Sequence, residues 1–301
     1  MAGEFSALML ARGRSAPSPF IGPLDTVQPK ADFARGFQLL YENYQGALCM
    51  VRRSSDDDVM LCMPTAGGAR RLDIAALLAW SGSDSVYLRV AYDQTGNGYD
   101  FVQTDPAAQA RLVNAGVMEL DAWGHPTAVY DGANDYESAQ SALGLPNAAP
   151  GFTTACLASF SAPSGIAAAA FAITVSGSTA VNRFTLGYSS GGNAVLETRN
   201  PDANGPTVST SGPVLAPNTG YRLIGRAQIG NNNSVFVDGS KTSGPSSAGT
   251  QYDASNPTAI YCGRYNTSYV GGRISLLAGW KTPLSDAECM DIDGALSTIT
   301  A

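Results

Sequence analysis

Apolar and polar positions alternate through much of the chain, and that alternation sets most of the elements. Val86, Leu88, Val90 and Tyr92 share one face of a strand, with Tyr87 and Arg89 on the other. Ile274, Leu276, Ala278 and Trp280 share a face of a later strand, and Tyr221 to Ala227 alternates in the same way. Two unbroken apolar runs, Ala47 to Val51 and the Ala-rich stretch from Ile166 to Val175, read as buried strands; neither is long enough to cross a bilayer.

Helical spacing is confined to three places. Phe33, Phe37, Leu40 and Tyr41 predict a helix over Asp32 to Tyr44, with Gly46 as its exit. Asp73 is placed to cap a short helix reaching Trp80, with Leu72 and Leu77 as a hydrophobic staple. Ser285-Asp286-Ala287-Glu288 matches the capping box and opens a C-terminal helix, with Leu284 and Cys289 at the staple positions.

Between these elements the chain is rich in turns. Val237-Asp238-Gly239 ends a strand in a tight Asp-Gly turn, and Arg52 to Asp58 makes a charged corner. The densest turn chemistry is Tyr92-Asp93-Gln94-Thr95-Gly96-Asn97-Gly98. There Gly96 and Gly98 accept positive φ at little cost, and Asp93, Gln94 and Asn97 supply partners for the backbone groups that a turn leaves unpaired.

Composition supports the same picture. The chain has 301 residues, 44% hydrophobic and 14% charged, with 33 Gly and 17 Pro, which suits short strands joined by turns better than a helical bundle. All-β is therefore the expected class. A net charge of −7 argues against nucleic-acid binding, which depends on clustered Lys and Arg. The five cysteines have no metal-ligand spacing and read as buried free thiols. Residues 1–31 carry four prolines and little periodicity; they read as an arm that orders on a partner surface or as a disordered tail, leaving residues 32–301 as the main domain. No signal peptide or membrane span is evident, so the expected product is soluble and made in the cytoplasm.

These residues together resemble a concanavalin-like, laminin-G-type jelly roll. The carriers are Gly46-Ala47-Leu48, Val51-Arg52-Arg53-Ser54-Ser55-Asp56, the Tyr92–Gly98 heptapeptide, the Val-Asp-Gly strand end, Gly271-Gly272-Arg273-Ile274 and Leu284 to Glu288. In this order they are similar to the catalytic domain of family B α-L-arabinofuranosidases and to lectin-like domains of phage virion and fibre proteins. The resemblance implies a two-sheet jelly-roll sandwich with a few short helices and, in the enzymes, a carboxylate nucleophile and a second carboxyl group about 5 Å apart. It also implies where they would stand, and both places are vacant: no Asp or Glu occurs between Glu137 and Glu197, nor between Asp253 and Asp286, around Arg264-Tyr265-Asn266.

The expected function is therefore a non-catalytic virion protein, a fibre, spike or decoration component. It would be made in the host cytoplasm, bind host-surface carbohydrate, attach to other virion proteins through its arm and form a homo-oligomer. A glycoside hydrolase of arabinofuranosidase type and a purely architectural particle protein are the alternatives.

For a sugar site the candidates are Tyr188, Tyr265, Asn266 and Tyr269, since rings stack on pyranose faces and amides bond hydroxyls; covering a sandwich edge is the other use of such tyrosines. Arg52, Arg53, Asp56, Tyr92, Asp93, Gln94, Gly96, Asn97 and Gly98 are read as scaffold, the two arginines pairing with Asp93 or with the Asp56–Asp58 cluster. That cluster and Asp131 to Asp135 hold oxygen ligands of the type calcium takes, but turn formation is the preferred reading and no cofactor is called for. His125 is the only histidine and reads as a turn residue before Pro126.

Overall fold

A computed structural model describes residues 20–139, 151–163, 167–175, 182–199, 207–228, 230–246, 258–265 and 267–301. The protein is mostly β. Among the described residues nineteen strands join one continuous antiparallel network, and a two-stranded ribbon, Arg264–Tyr265 with Ser268–Tyr269, stands apart from it. No helix among the described residues is long and apolar enough to cross a membrane.

The strand Gly271–Trp280 organises the fold. It pairs with Gly151–Phe160 along one edge, and along the other with Ala128–Asp131 and then with the first strand, Phe33–Gly36. An extra residue, Ser275, interrupts its pairing: Leu157 opposes Leu276 while Ala158 opposes Ile274. This bulge changes the phase of the strand. Ile274 joins the main core, whereas Leu276, Ala278 and Trp280 enter a second core under the C-terminal helix, so the single face expected for all four is split.

A similar break corrects the Val86–Ala91 strand. Opposite it, Val51 pairs with Leu88 but Met50 pairs with Val90, which leaves Arg89 as the extra residue. Val86 and Leu88 face the core, and beyond the bulge Ala91 turns inward while Val90 and Tyr92 are only half-buried.

Helix was expected over Asp32 to Tyr44, but Phe33–Gly36 is a strand. All four of its residues are buried, because the strand is covered on both faces, and such a run has no period to distinguish it from a buried helix. The other two helices form as expected. Asp73 accepts from the Ala76 amide at the start of Ile74–Ser81, and Ser285 and Glu288 complete a reciprocal capping box at the start of Asp286–Thr300. Leu72, Leu77, Leu284 and Cys289, the expected staple residues, are all buried. All five cysteines are buried and free.

Residues 20–31 lie along the body. Leu24 and Val27 are buried in the second core with Trp280, Ile292 and Leu296. The Trp280 indole donates to the Pro29 carbonyl, 251 residues away, at 2.8 Å. Gly22 sits so close to Leu40 and Tyr41 that a Cβ would meet the Leu40 carbonyl oxygen at 2.3 Å. This contact seats the incoming chain against the segment that carries the site described next.

Candidate functional site

The Tyr92–Gly98 corner is built around one buried carboxylate. Asp93 accepts from the amides of Ala34 (3.0 Å), Thr95 (3.1 Å) and Tyr99 (3.2 Å) and from the Thr95 hydroxyl. Its partners are backbone donors and one hydroxyl, not the arginines weighed from the sequence. Arg52 and Arg53 turn instead to their own corner, at 2.7 Å from Asp57 and Asp56 respectively.

Gln94 is used up in the same way. Its carbonyl oxygen accepts from the Leu40 amide at 2.8 Å and its amide donates to the carbonyls of Gly36 and Gln38. Asn97 donates to the Asp32 carbonyl at 2.8 Å. Gly96 and Gly98 take φ of 84° and 79°, the left-handed region their sequence positions anticipate. The corner is thus bonded to the 32–40 segment by side chains that a turn needs in any case.

What the corner supports is a cleft of about 460 Å³, within the size range of small-molecule sites. Thr95, Gly96 and Asn97 of the corner line it together with Tyr41, Asn43, Tyr44 and Gln45 and with the exposed Lys30. The Tyr41 ring is fixed by the Ala31 amide on its hydroxyl, and Tyr44 donates to the Ala47 carbonyl at 2.7 Å. Burial, reinforced by neighbouring carboxylates, pushes the Tyr44 hydroxyl up to about 12 and the Tyr41 hydroxyl higher, so both stay protonated. Among the described residues no Asp or Glu lines the cleft. It offers the half-buried Tyr44 ring, several carboxamides and a cation, with Tyr41 almost wholly buried in the second core, a set suited to binding a polyhydroxylated ligand and without the carboxylate pair that glycosidases use.

Sequence reasoning missed Lys30, Tyr41, Asn43, Tyr44 and Gln45. The signal was there in the aromatic and amide alternation of Tyr41-Glu42-Asn43-Tyr44-Gln45, hidden by reading those residues as the end of a helix.

Of the residues proposed from sequence for a sugar site, Tyr188 and Tyr269 do not line this cleft. Tyr188 is 5% exposed and its ring stacks edge-on to Phe160 at 4.9 Å, which makes it a core residue. Tyr269 belongs to a half-buried cluster in which Tyr136, Tyr261 and Tyr269 surround the Arg264 guanidinium at 4.9, 5.2 and 5.7 Å from the ring centroids. Asn266 and the Tyr265 side chain lie outside the described residues. The ring cluster occupies the neighbourhood where the resemblance to the arabinofuranosidases would have set an acid/base carboxylate.

Three further groups were weighed from the sequence. Asp131 accepts from the amides of Ala133 and Asn134, and Asp135 accepts from the Asp131 amide, so these carboxylates close their own turn. Among the described residues no three His, Cys, Asp or Glu side chains gather as a metal site. His125 sits in a turn, its amide donating to Asp121. Its Nδ1, the second Asp121 oxygen and the Ser275 hydroxyl are buried without partners. All three residues line a cavity of about 20 Å³, room for one water-sized body and too closed for a substrate. Burial and Arg71 lower the His125 pKa, against the pull of Asp121.

No protein-family model matches the chain, and neither does any curated protein. Solved structures do share its fold. An arabinofuranosidase complexed with arabinofuranosyl-alpha-1,2-xylobiose superposes with a TM-score of 0.60 at 15% identity, covering 92% of this chain and 64% of that one. A GH54 α-L-arabinofuranosidase soaked with a cyclic sulfate inhibitor gives 0.59 at 15% identity, covering 92% and 65%. The sialidase of Trypanosoma rangeli in complex with sialic acid gives 0.50 at 12% identity, covering 79% and 33%. The chain thus spans about two-thirds or less of these proteins' length. At such identities the likeness establishes a fold shared with glycoside hydrolases, and the chemistry has to be argued from this chain's own residues.

Proposed function

We propose that the protein is a non-catalytic carbohydrate-binding domain and that the cleft beside the Tyr92–Gly98 corner is its sugar site. One observation carries the proposal: a cleft of sugar-accommodating size is lined by Tyr44, Asn43, Gln45 and Asn97 and has no carboxylate among the described residues of its lining. The glycoside-hydrolase folds among the structural neighbours are consistent with it.

Glycan-array and calorimetric measurements on the full chain test it. Binding that is lost in Tyr44→Ala and Asn43→Ala is expected, with no release of sugar from arabinofuranosides or capsule polysaccharides. Sustained turnover that disappears when one carboxylate is replaced would overturn the non-catalytic reading. Absence of binding to any glycan would instead favour a purely architectural protein.

The finer reading is a jelly-roll sandwich carried on a virus particle as a fibre, spike or decoration component. In that reading residues 1–31 are its attachment arm and residues 32–301 its lectin-like body, with Leu24 and Val27 seating the arm's end in the body's own second core. Support for the particle comes from the sequence resemblance. Mass spectrometry of purified particles tests it, and deletion of residues 1–19, which spares the buried Leu24 and Val27, is expected to abolish incorporation.

A further inference from the structure

We propose that the ligand of this cleft is an acidic saccharide whose carboxylate is received by Lys30; the inference rests on the carbohydrate-binding reading above. Among the described residues, Lys30 is the one charged side chain in the cleft's lining. Its ammonium lies 5.6 Å from the centroid of the Tyr41 ring, the same ring that forms a wall of the cleft. An attraction between cation and ring holds the charge over that ring. A saccharide seated in the cleft would therefore present a substituent to the ammonium.

The surrounding carboxylates do not take this role away from Lys30. Asp25 accepts from the amides of Gly22 and Glu42, Asp32 accepts from the Lys281 amide and faces its ammonium, and Asp93 is enclosed by its own donors. Among the described residues no ion pair involves Lys30. Tyr41 and Tyr44, kept protonated, add no negative charge. The amides of Asn43, Gln45 and Asn97 are as well suited to hydroxyls as to a carboxylate, so the discrimination falls to the lysine.

The chain's net charge of −7 opposes the approach of a polyanion. At physiological ionic strength such repulsion is screened beyond about 8 Å, whereas a contact at the ammonium is not. The preference is accordingly local, and it should be modest: an exposed ion pair corresponds to at most about fivefold in affinity.

The test uses the full chain on paired oligosaccharides: galacturonate, glucuronate, mannuronate and guluronate oligomers, each beside its carboxyl-reduced neutral counterpart. Expected is a preference of about fivefold for at least one uronate over its counterpart, kept in Lys30→Arg, reduced to near one in Lys30→Gln and weakened by high salt. Equal binding of both members of a pair overturns the acidic assignment and leaves the carbohydrate reading standing. A preference that survives Lys30→Gln overturns the role of Lys30. Silence across every pair overturns both readings.

Discussion

Ala34 and Arg35 are neighbours in the first strand, and each anchors a polar network of a different kind. The Ala34 amide reaches Asp93 in the corner, where the carboxylate is satisfied by donors that the turn would otherwise leave bare. The Arg35 side chain, completely buried, reaches Glu137 at 3.2 Å and the Tyr130 hydroxyl at 3.1 Å, and Tyr130 in turn donates to Glu137 at 2.8 Å. Two of the three Arg35 nitrogens, Nε and Nη1, have no partner. The corner solves a backbone problem with a short acidic side chain. The Arg35 cluster creates a problem, two desolvated charges, and solves it only in part; a paired buried ion often adds little net stability even though losing one member is costly.

The largest expected effect tests the second half of that contrast. Glu137→Gln leaves the Arg35 charge buried without its counterion and should cost about 3–5 kcal/mol by urea denaturation, whereas replacing both residues with apolar ones should recover most of the loss. If the single and double variants are equally damaged, the cluster is a net stabiliser and the contrast with the corner fails.

Asp93→Ala removes the acceptor for three amides and should cost about 2–3 kcal/mol, with Asp93→Asn losing less. Because the corner walls the cleft, the same variant should weaken glycan binding; Glu137→Gln, assayed well below its denaturation midpoint, should not. Asn97→Ala loses one bond to the Asp32 carbonyl. About 1 kcal/mol is expected from chemical denaturation, together with weaker binding in the cleft.

The smallest effect is one of pH. Asp135 is pushed up to about 7, first by burial, then by Asp131 and by the cluster's Glu137. Between about pH 4, where an unfolded Asp ionises, and about 7, the folded protein holds a proton that the unfolded chain has lost. Stability should therefore be fully present below that window and fall as pH rises through it. Melting temperatures of Asp135→Asn should lose this slope. A slope unchanged in the variant would show that Asp135 is not its source.

Legibility from sequence followed the range of the interactions. The caps at Asp73 and Ser285 and the turn at Asp238-Gly239, where φ is 49° and 79°, are decided within four residues and were readable. The Phe33–Gly36 strand was not, since burial on both faces erases periodicity. Nor were the bulges at Arg89 and Ser275, which depend on the opposing strand. The corner was recognised as scaffold, but the cleft wall at Tyr41 to Gln45 was concealed by the same misread helix. The Arg35 cluster could not be read at all, because its partners stand 95 and 102 residues away.

The pairing of the first strand with Gly271–Trp280 also fixes an order of events during synthesis. Phe33–Gly36 pairs with no other strand in the described structure, and the indole that covers Pro29 arrives 251 residues later. While the ribosome works through the intervening chain, the edge that meets Gly271–Trp280 stays open, a state exposed to wrong pairings, although Tyr99 and Phe101 already offer rings to Phe33 and the Gln94 amide reaches the Ala34 carbonyl. The corner's own partners at residues 32–40 are all synthesised before it, so what waits for the last strand is the ladder behind them. The heptapeptide can thus hold the first strand in place until its distant neighbour arrives.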